Sequence, residues 1–332
     1  MDRIKSRVLA IQRGFLTMPT SRNDSDPPPH RIGRAGPAKR MAGIERLLGS
    51  DRQRAERFMR FARETAMDLE HLWCAVDADG KVLSTVLASI NPGRTAMLFV
   101  SPPRKDDEIP TAVDVIEAAS AALSEAGLCL VQALVTPDEV RERKAFEAGG
   151  LNEIAILTYM QATLGRKHRK APEVPEGCSF RSYQPGDRHL VEKLLAQTYV
   201  NTLDCPQLVG LRQMDDILDG HMNSGIFKPE WWSILFMGDT PVGACLTNSA
   251  RDGKSAELVY LGITPEMRGQ GLGRALLAHA LSIIAESTTK TVALAVDESN
   301  APAVEMYRSA GFSGTIRRHA FVRKVDQNTA TN

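Results

Sequence analysis

Residues 72–90, LWCAVDADGKVLSTVLASI, hold two short apolar runs divided by a tight polar turn, a pattern that predicts strand, turn, strand. The pattern returns at the same length over 232–250 as WSILFMGDTPVGACLTNSA. A third strand follows each pair, TAMLFVSP (95–102) and AELVYLGITP (256–265). After each comes a helix and another apolar strand, LCLVQALV (128–135) and TVALAV (291–296). RKAFEAGGL (143–151) is then echoed by EMYRSAGF (305–312). Upstream, SDRQRAERF (50–58) and GDRHLVEKL (186–194) each place an Asp at a helix N-cap, with Arg next and Glu five positions on.

The spacings agree as well as the order. Val135 to Leu151 and Val296 to Phe312 are both 16 residues; Pro102 to Val135 is 33 and Pro265 to Val296 is 31. This predicts an internal duplication of α/β lobes, each a mixed twisted sheet with flanking helices. The expected organisation is a disordered basic tail (1–41), a first lobe (42–164), a basic, proline-containing linker GRKHRKAPEVPEG (165–177), a second lobe (178–326) and a disordered C-terminus (327–332).

The differences between the halves carry more information. Asp187 to Pro265 is 27 residues longer than Asp51 to Pro102, mostly through NTLDCPQLVGLRQMDDILDGHMNSG (201–225), a segment suited to forming a binding wall. Where the second half has EMRGQGLGR (266–274), the first has PRKDDEIPT (103–111), with no glycine and three adjacent acids. The glycine turn runs from a strand into an amphipathic helix, with Leu272, Leu276, Leu277, Ala280, Leu281 and Ile284 on one side. Amides at a helix N-terminus hold phosphate, and Arg268 and Arg274 add positive charge. A dinucleotide site requires a third glycine where Leu276 stands, and a P-loop requires Gly-Lys-Ser/Thr, which is absent. The turn alone leaves these and a ligand-free loop open.

The wider context narrows the choice. RGQGLG after AELVYLGITP, followed one strand later by NAPAVEMYRSAGF, resembles the acetyl-CoA-binding core of the GNAT superfamily of N-acetyltransferases, whose signature Arg/Gln-x-x-Gly-x-Gly/Ala matches Arg268, Gly269, Gln270, Gly271, Leu272 and Gly273. The motifs cover 255–325; the duplication extends the GNAT-like fold over 42–325, with one degenerate lobe. The resemblance implies that the turn from Arg268 to Arg274 binds the CoA diphosphate. Leu261, Gly262 and Ile263 are then expected beside the pantetheine arm, with Asn300 in contact with CoA.

Acetyl transfer to an amine needs a base for the ammonium and an acid for the departing thiolate. Tyr307, seven residues after Asn300, matches the family's acid; Phe146 at the equivalent place says that packing does not require the hydroxyl. Glu257 matches a base used in one branch, and partial burial there would raise its pKa. The first lobe has Thr95 or Ala96 near that position. Another branch's base falls on Ala295, with Asp297 as the fallback, and a water relay without a dedicated base is the remaining route. Asp204, Asp215, Asp216 and Asp219 would attract a cationic acceptor or form a solvated helix face. Of Trp231 and Trp232, one is expected in the core and the other at the cleft. His221 and His279 stand apart, and no metal-ligand spacing appears.

Composition narrows the partners. The net charge of +1 marks neither a nucleic-acid nor a membrane binder, although the first 40 residues carry +6. Five scattered cysteines predict reduced thiols and a cytoplasmic setting. The expected activity is acetyl-CoA-dependent acetylation of an amine on a small molecule or protein. The rivals are a mycothiol synthase-like transfer to a thiol-precursor amine, a CoA-binding sensor without turnover, and a nucleic-acid-associated protein acting through the tail.

Overall fold

A computed structural model describes residues 30–65, 67–251 and 253–325. Two compact units divide the chain: Met1–Glu153 with Ala320–Asn332, and Ile154–His319. Elements are numbered along the chain.

In the first unit, β1 (Arg31–Arg34), β2 (Leu72–Val76), β3 (Val82–Asn91) and β4 (Thr95–Val100) are antiparallel neighbours in that order. β5 (Leu130–Val135) lies parallel to β4, and the end of β12 (Ser313–Lys324) follows it. Helices α1 (Pro37–Leu47), α2 (Arg52–Glu64), α3 (Ile109–Glu125) and α4 (Val140–Ala148) flank this sheet. Val115, Ile116, Ala119 and Leu123 of α3 pack on Val86, Leu98 and Val131, with Phe146 and Phe321 in the same core. Asp51 caps α2 by accepting from Arg54 N–H at 3.0 Å.

The second unit repeats the plan. Strand order is β6 (Asn152–Thr163), β11 (Thr291–Asp297), β10 (Ser255–Ile263), β9 (Thr240–Ser249), β8 (Ser233–Met237), β7 (Cys178–Ser182), with β10 and β11 parallel. Helices α7 (Leu272–Ala285) and α8 (Ala301–Ser309) cover one face; α5 (Arg188–Thr198) and α6 (Met214–Met222) cover the other. Strand alternation therefore meets a core on either side. Trp231 joins the α7 core and Trp232 the α5 core, so both are buried and neither is the cleft residue expected. Trp232 Nε1 is satisfied by Asn248 Oδ1 at 2.9 Å.

Four expectations are corrected. The tail does not reach residue 41, because Arg31–Arg34 pairs with β2 and Pro37 opens α1; residues 1–29 and 327–332 lie outside the described residues. The units part at Glu153/Ile154 rather than at 165–177, because β6 pairs with β11 from Leu157↔Asp297 to Thr163↔Thr291. Residues 166–169 form a 3-10 turn that buries His168 within the second unit. Asp187 gives no side-chain cap; its carboxylate takes Arg181 at 2.7 Å and Gln184 N–H at 2.7 Å instead.

Candidate active site

The two parallel pairs match rung for rung. Thr95, Ala96 and Met97 face Leu130, Val131 and Gln132; Ser255, Ala256 and Glu257 face Thr291, Val292 and Ala293. Met97, not Thr95 or Ala96, is thus the counterpart of Glu257. Past that rung both parallel ladders stop, and the units differ in the antiparallel ladder beside them. The β3–β4 ladder runs unbroken, whereas β9–β10 shifts register between Leu258 and Tyr260. A bulge bends its strand and sharpens the local twist. Beyond Glu257↔Ala293, β10 and β11 have no further rungs, although they continue to Ile263 and Asp297. β10 stays with β9 and β11 stays with β6, leaving an opening between parallel strands.

The glycine turn stands at the β10 end of this opening. Gly269 (φ 75°) and Gly271 (φ 79°) are left-handed, which glycine adopts without the Cβ penalty. Nothing lies within 4 Å of where their Cβ atoms would be. Arg274 and Ala275 N–H bond to Gly271 O, while the N–H groups from Gly269 to Gly273 have no partner among the described residues. They converge at the start of the 14-residue α7, where the helix dipole is positive, and Arg274 is exposed beside them. This cradle fits a diphosphate. Gln270 and Leu272 offer it only their backbones: Gln270 Nε2 donates to Glu266 O at 3.1 Å and Leu272 is buried. Gly273 is small for a packing reason, since a Cβ there would meet Met306 Sδ at 3.3 Å.

Arg268 differs from expectation. Its Nε donates to Ile263 O at 3.0 Å, Nη1 to Asn201 O at 2.8 Å, and Nη2 to Thr198 O and Val200 O, both at 2.9 Å. Four of its five N–H groups are committed to backbone carbonyls.

Gly262 fits closely, because an added Cβ would stand 2.4 Å from the Tyr260 hydroxyl. Tyr260 shares a 2.6 Å hydrogen bond with Thr198, and burial pushes its phenol up to about 12. Leu261 and Ile263 point to the opposite face, into the α7 core. Asn300 caps α8 by accepting from Ala303 N–H at 3.3 Å, which leaves its amide nitrogen available.

Tyr307 is buried on α8, edge-on to Phe312 at 5.7 Å. Burial raises its phenol well above the usual range, helped by Cys245, Asp204 and Tyr260. Among the described residues no hydrogen bond engages its hydroxyl. Glu257 lies on the last rung, exposed rather than partly buried as expected, and accepts from Ser224 Oγ at 3.2 Å. Tyr159, opposite Ala295 on β6, feels its charge. Asp297 is committed elsewhere: one oxygen accepts from Ser299 N–H (2.9 Å) and Oγ (2.8 Å), the other from Cys205 N–H (3.2 Å).

Of the four acids in 201–225, Asp215 and Asp219 are paired with Arg188, the latter at 2.8 Å. Asp204 Oδ1 accepts from Asp297 N–H at 3.1 Å. Burial of its carboxyl and the neighbouring Asp297 raise its pKa, although the residue keeps an exposed side. Sequence reading grouped Asp204 with the other acids; the pairing with Asp297, 93 positions on, singles it out. His221 faces the Tyr260 ring at 5.6 Å, and lost hydration pushes it down to about 4. His279 stacks on Phe180 at 4.2 Å.

Residues 202–312 match the model of the acetyltransferase (GNAT) family. The match lies wholly within the second unit, over the stretch that holds the glycine turn, Asn300 and Tyr307. The mycothiol acetyltransferase of Thermobispora bispora is 34% identical over 149 residues, 43% of this chain and 49% of that protein. That of Clavibacter sepedonicus is 28% identical over 237 residues, 70% of this chain and 74% of that protein. The chain spans about half the length of the first of these relatives. A GCN5-related N-acetyltransferase from Sphaerobacter thermophilus shares the fold, with a TM-score of 0.59 at 19% identity over 92% of this chain and 99% of that one.

Proposed function

We propose that the second unit transfers an acetyl group from acetyl-CoA to a primary amine by direct attack. The observation that carries this is the opening between β10 and β11, with a cradle of unpartnered amides at its end. Amides from Gly269 to Gly273 and the Arg274 charge receive the diphosphate. The backbone of Leu261, Gly262 and Ile263 lies along the pantetheine, and the Asn300 amide donates to the same arm.

Tyr307 serves as the acid. Its raised pKa keeps the phenol protonated at neutral pH, so it holds a proton for the thiolate that leaves when the amine nitrogen bonds to the acetyl carbon. Glu257, exposed at the start of the opening, takes one proton from the acceptor ammonium, directly or through a water, and so frees the amine to attack; the second proton, released from nitrogen as the amide forms, returns to the Tyr307 phenolate. The five free thiols suit a reducing, cytoplasmic setting.

A second reading concerns the acceptor. The matched relatives are named mycothiol acetyltransferases, which favours a small thiol-precursor amine over a protein lysine. A mass-resolved acetyl-transfer screen over small thiol-bearing amines, other small amines, amino acids and lysine peptides tests both readings. Acetylation of a thiol-bearing amine supports the narrower one, and acetylation of another class supports only the broader. No CoA binding and no product with any amine would overturn the function itself.

A further inference from the structure

Residues 199–205 run across the mouth of the opening, anchored at each strand end. At the β10 end, the Arg268 fork gathers the carbonyls of Thr198, Val200 and Asn201 together with that of Ile263. At the β11 end, Asp297 N–H donates to Asp204 and Cys205 N–H donates back to Asp297. A left-handed non-glycine residue sits at each anchor, Asn201 (φ 52°) and Cys205 (φ 44°). Such conformations cost on the order of 1–3 kcal/mol each and persist where the surroundings over-determine them. Asp204 reaches Tyr307 electrostatically from this strap.

We propose that Arg268 is a positioning residue: its fork, not its charge, holds residues 199–205 across the opening and so fixes Asp204 against Asp297 at the β11 end. The acceptor side of the site thereby depends on the turn that receives the diphosphate. The inference rests on the acetyl-transfer reading above. A planar fork meeting carbonyls of two segments has no substitute in lysine, whose ammonium keeps the charge but not the geometry. A residue acting on phosphate by charge alone would tolerate that exchange.

The test compares wild type with Arg268→Lys and Arg268→Ala, using calorimetry with CoA and with pantetheine, which lacks the diphosphate. Acceptor kinetics and hydrogen exchange over 199–205 complete it. Both variants are expected to lose roughly tenfold or more in kcat/KM for the amine, as misplacement of a reacting group does. The ratio of CoA to pantetheine affinity should stay unchanged, and exchange over 199–205 should rise in both. Full rescue by lysine, loss of affinity confined to CoA, or unchanged exchange would overturn the proposal. Wild type that neither binds CoA nor acetylates any amine would instead sink the function reading. The exchange measurement still decides whether Arg268 holds the strap.

Discussion

Tyr307 is buried and His221 is half-buried with its Nε2 shut off from solvent, and lost hydration moves them in opposite directions, because it disfavours whichever form is charged. For Tyr307 the neutral acid is preserved. Tyr307→Phe should lower kcat by about a hundredfold or more while the Kd for acetyl-CoA stays within about twofold. In the wild type, no alkaline fall in kcat should arise from this phenol below about pH 10. Full activity of the phenylalanine variant would remove Tyr307 from the mechanism. For His221, the folded state resists protonation down to about pH 4, while the unfolded chain takes a proton near 6.5. Between those values the unfolded state binds more protons, so stability is present above pH 6.5 and declines toward pH 4, by at most about 3 kcal/mol. His221→Gln should therefore flatten the fall in Tm between pH 7 and pH 4.5; an unchanged slope would contradict this assignment. The sequence made Tyr307 visible through its spacing from Asn300. It hid His221 and Asp204, whose partners are distant along the chain.

At the scale of elements, glycine and hydrophobic period were legible because they act locally. Gly269 and Gly271 have the left-handed φ that a tight turn into a helix needs, and α7 buries the leucine stripe read from its period. Gly271→Val would force a β-branched residue into that region, at about 1–2 kcal/mol, with its side chain in the cradle. We expect acetyl-CoA affinity to fall at least tenfold while the far-UV spectrum is retained; unaltered affinity would place the diphosphate elsewhere. Less local features escaped the sequence. No pattern announces that a ladder stops after three rungs, since register depends on which neighbour each strand keeps. Nor does an arginine in a phosphate-type motif reveal that its fork is already occupied. The first unit offers the contrast. In its equivalent turn, Glu108 accepts from Arg104 N–H at 2.9 Å and from Arg46 Nη2 at 2.9 Å. An acid of PRKDDEIPT is thus bound into the first unit's own turn, which has no glycine.

At the scale of the whole molecule, order and spacing revealed the repetition, but the chain does not divide at the proline-rich stretch. The first unit takes its last strand residues from 320–325. Phe321 is fully buried there, with its ring 6.3 Å from Phe146, and Val325 N–H donates to Cys129 O at 2.9 Å. Linear reading assigned 152–163 to the first lobe and the C-terminus to the second, because the two strands are alike in period and only pairing distinguishes them. Phe321→Ala should cost about 3–5 kcal/mol. Hydrogen exchange should locate the loss in α3 and β5, with the amides of α7 unaffected. Equal loss of protection in α7 would show that 320–325 is not specific to the first unit.

That placement has a consequence for synthesis. Roughly 170 residues separate Glu153 from Ala320, so on a ribosome adding 5–20 residues per second the first-made half waits on the order of ten to thirty seconds for its closing strand. Until then the edge of β5 that β12 covers is bare, and an uncovered edge is a template for pairing with other nascent chains. The first unit is thus the half whose sheet edge stays open longest during translation.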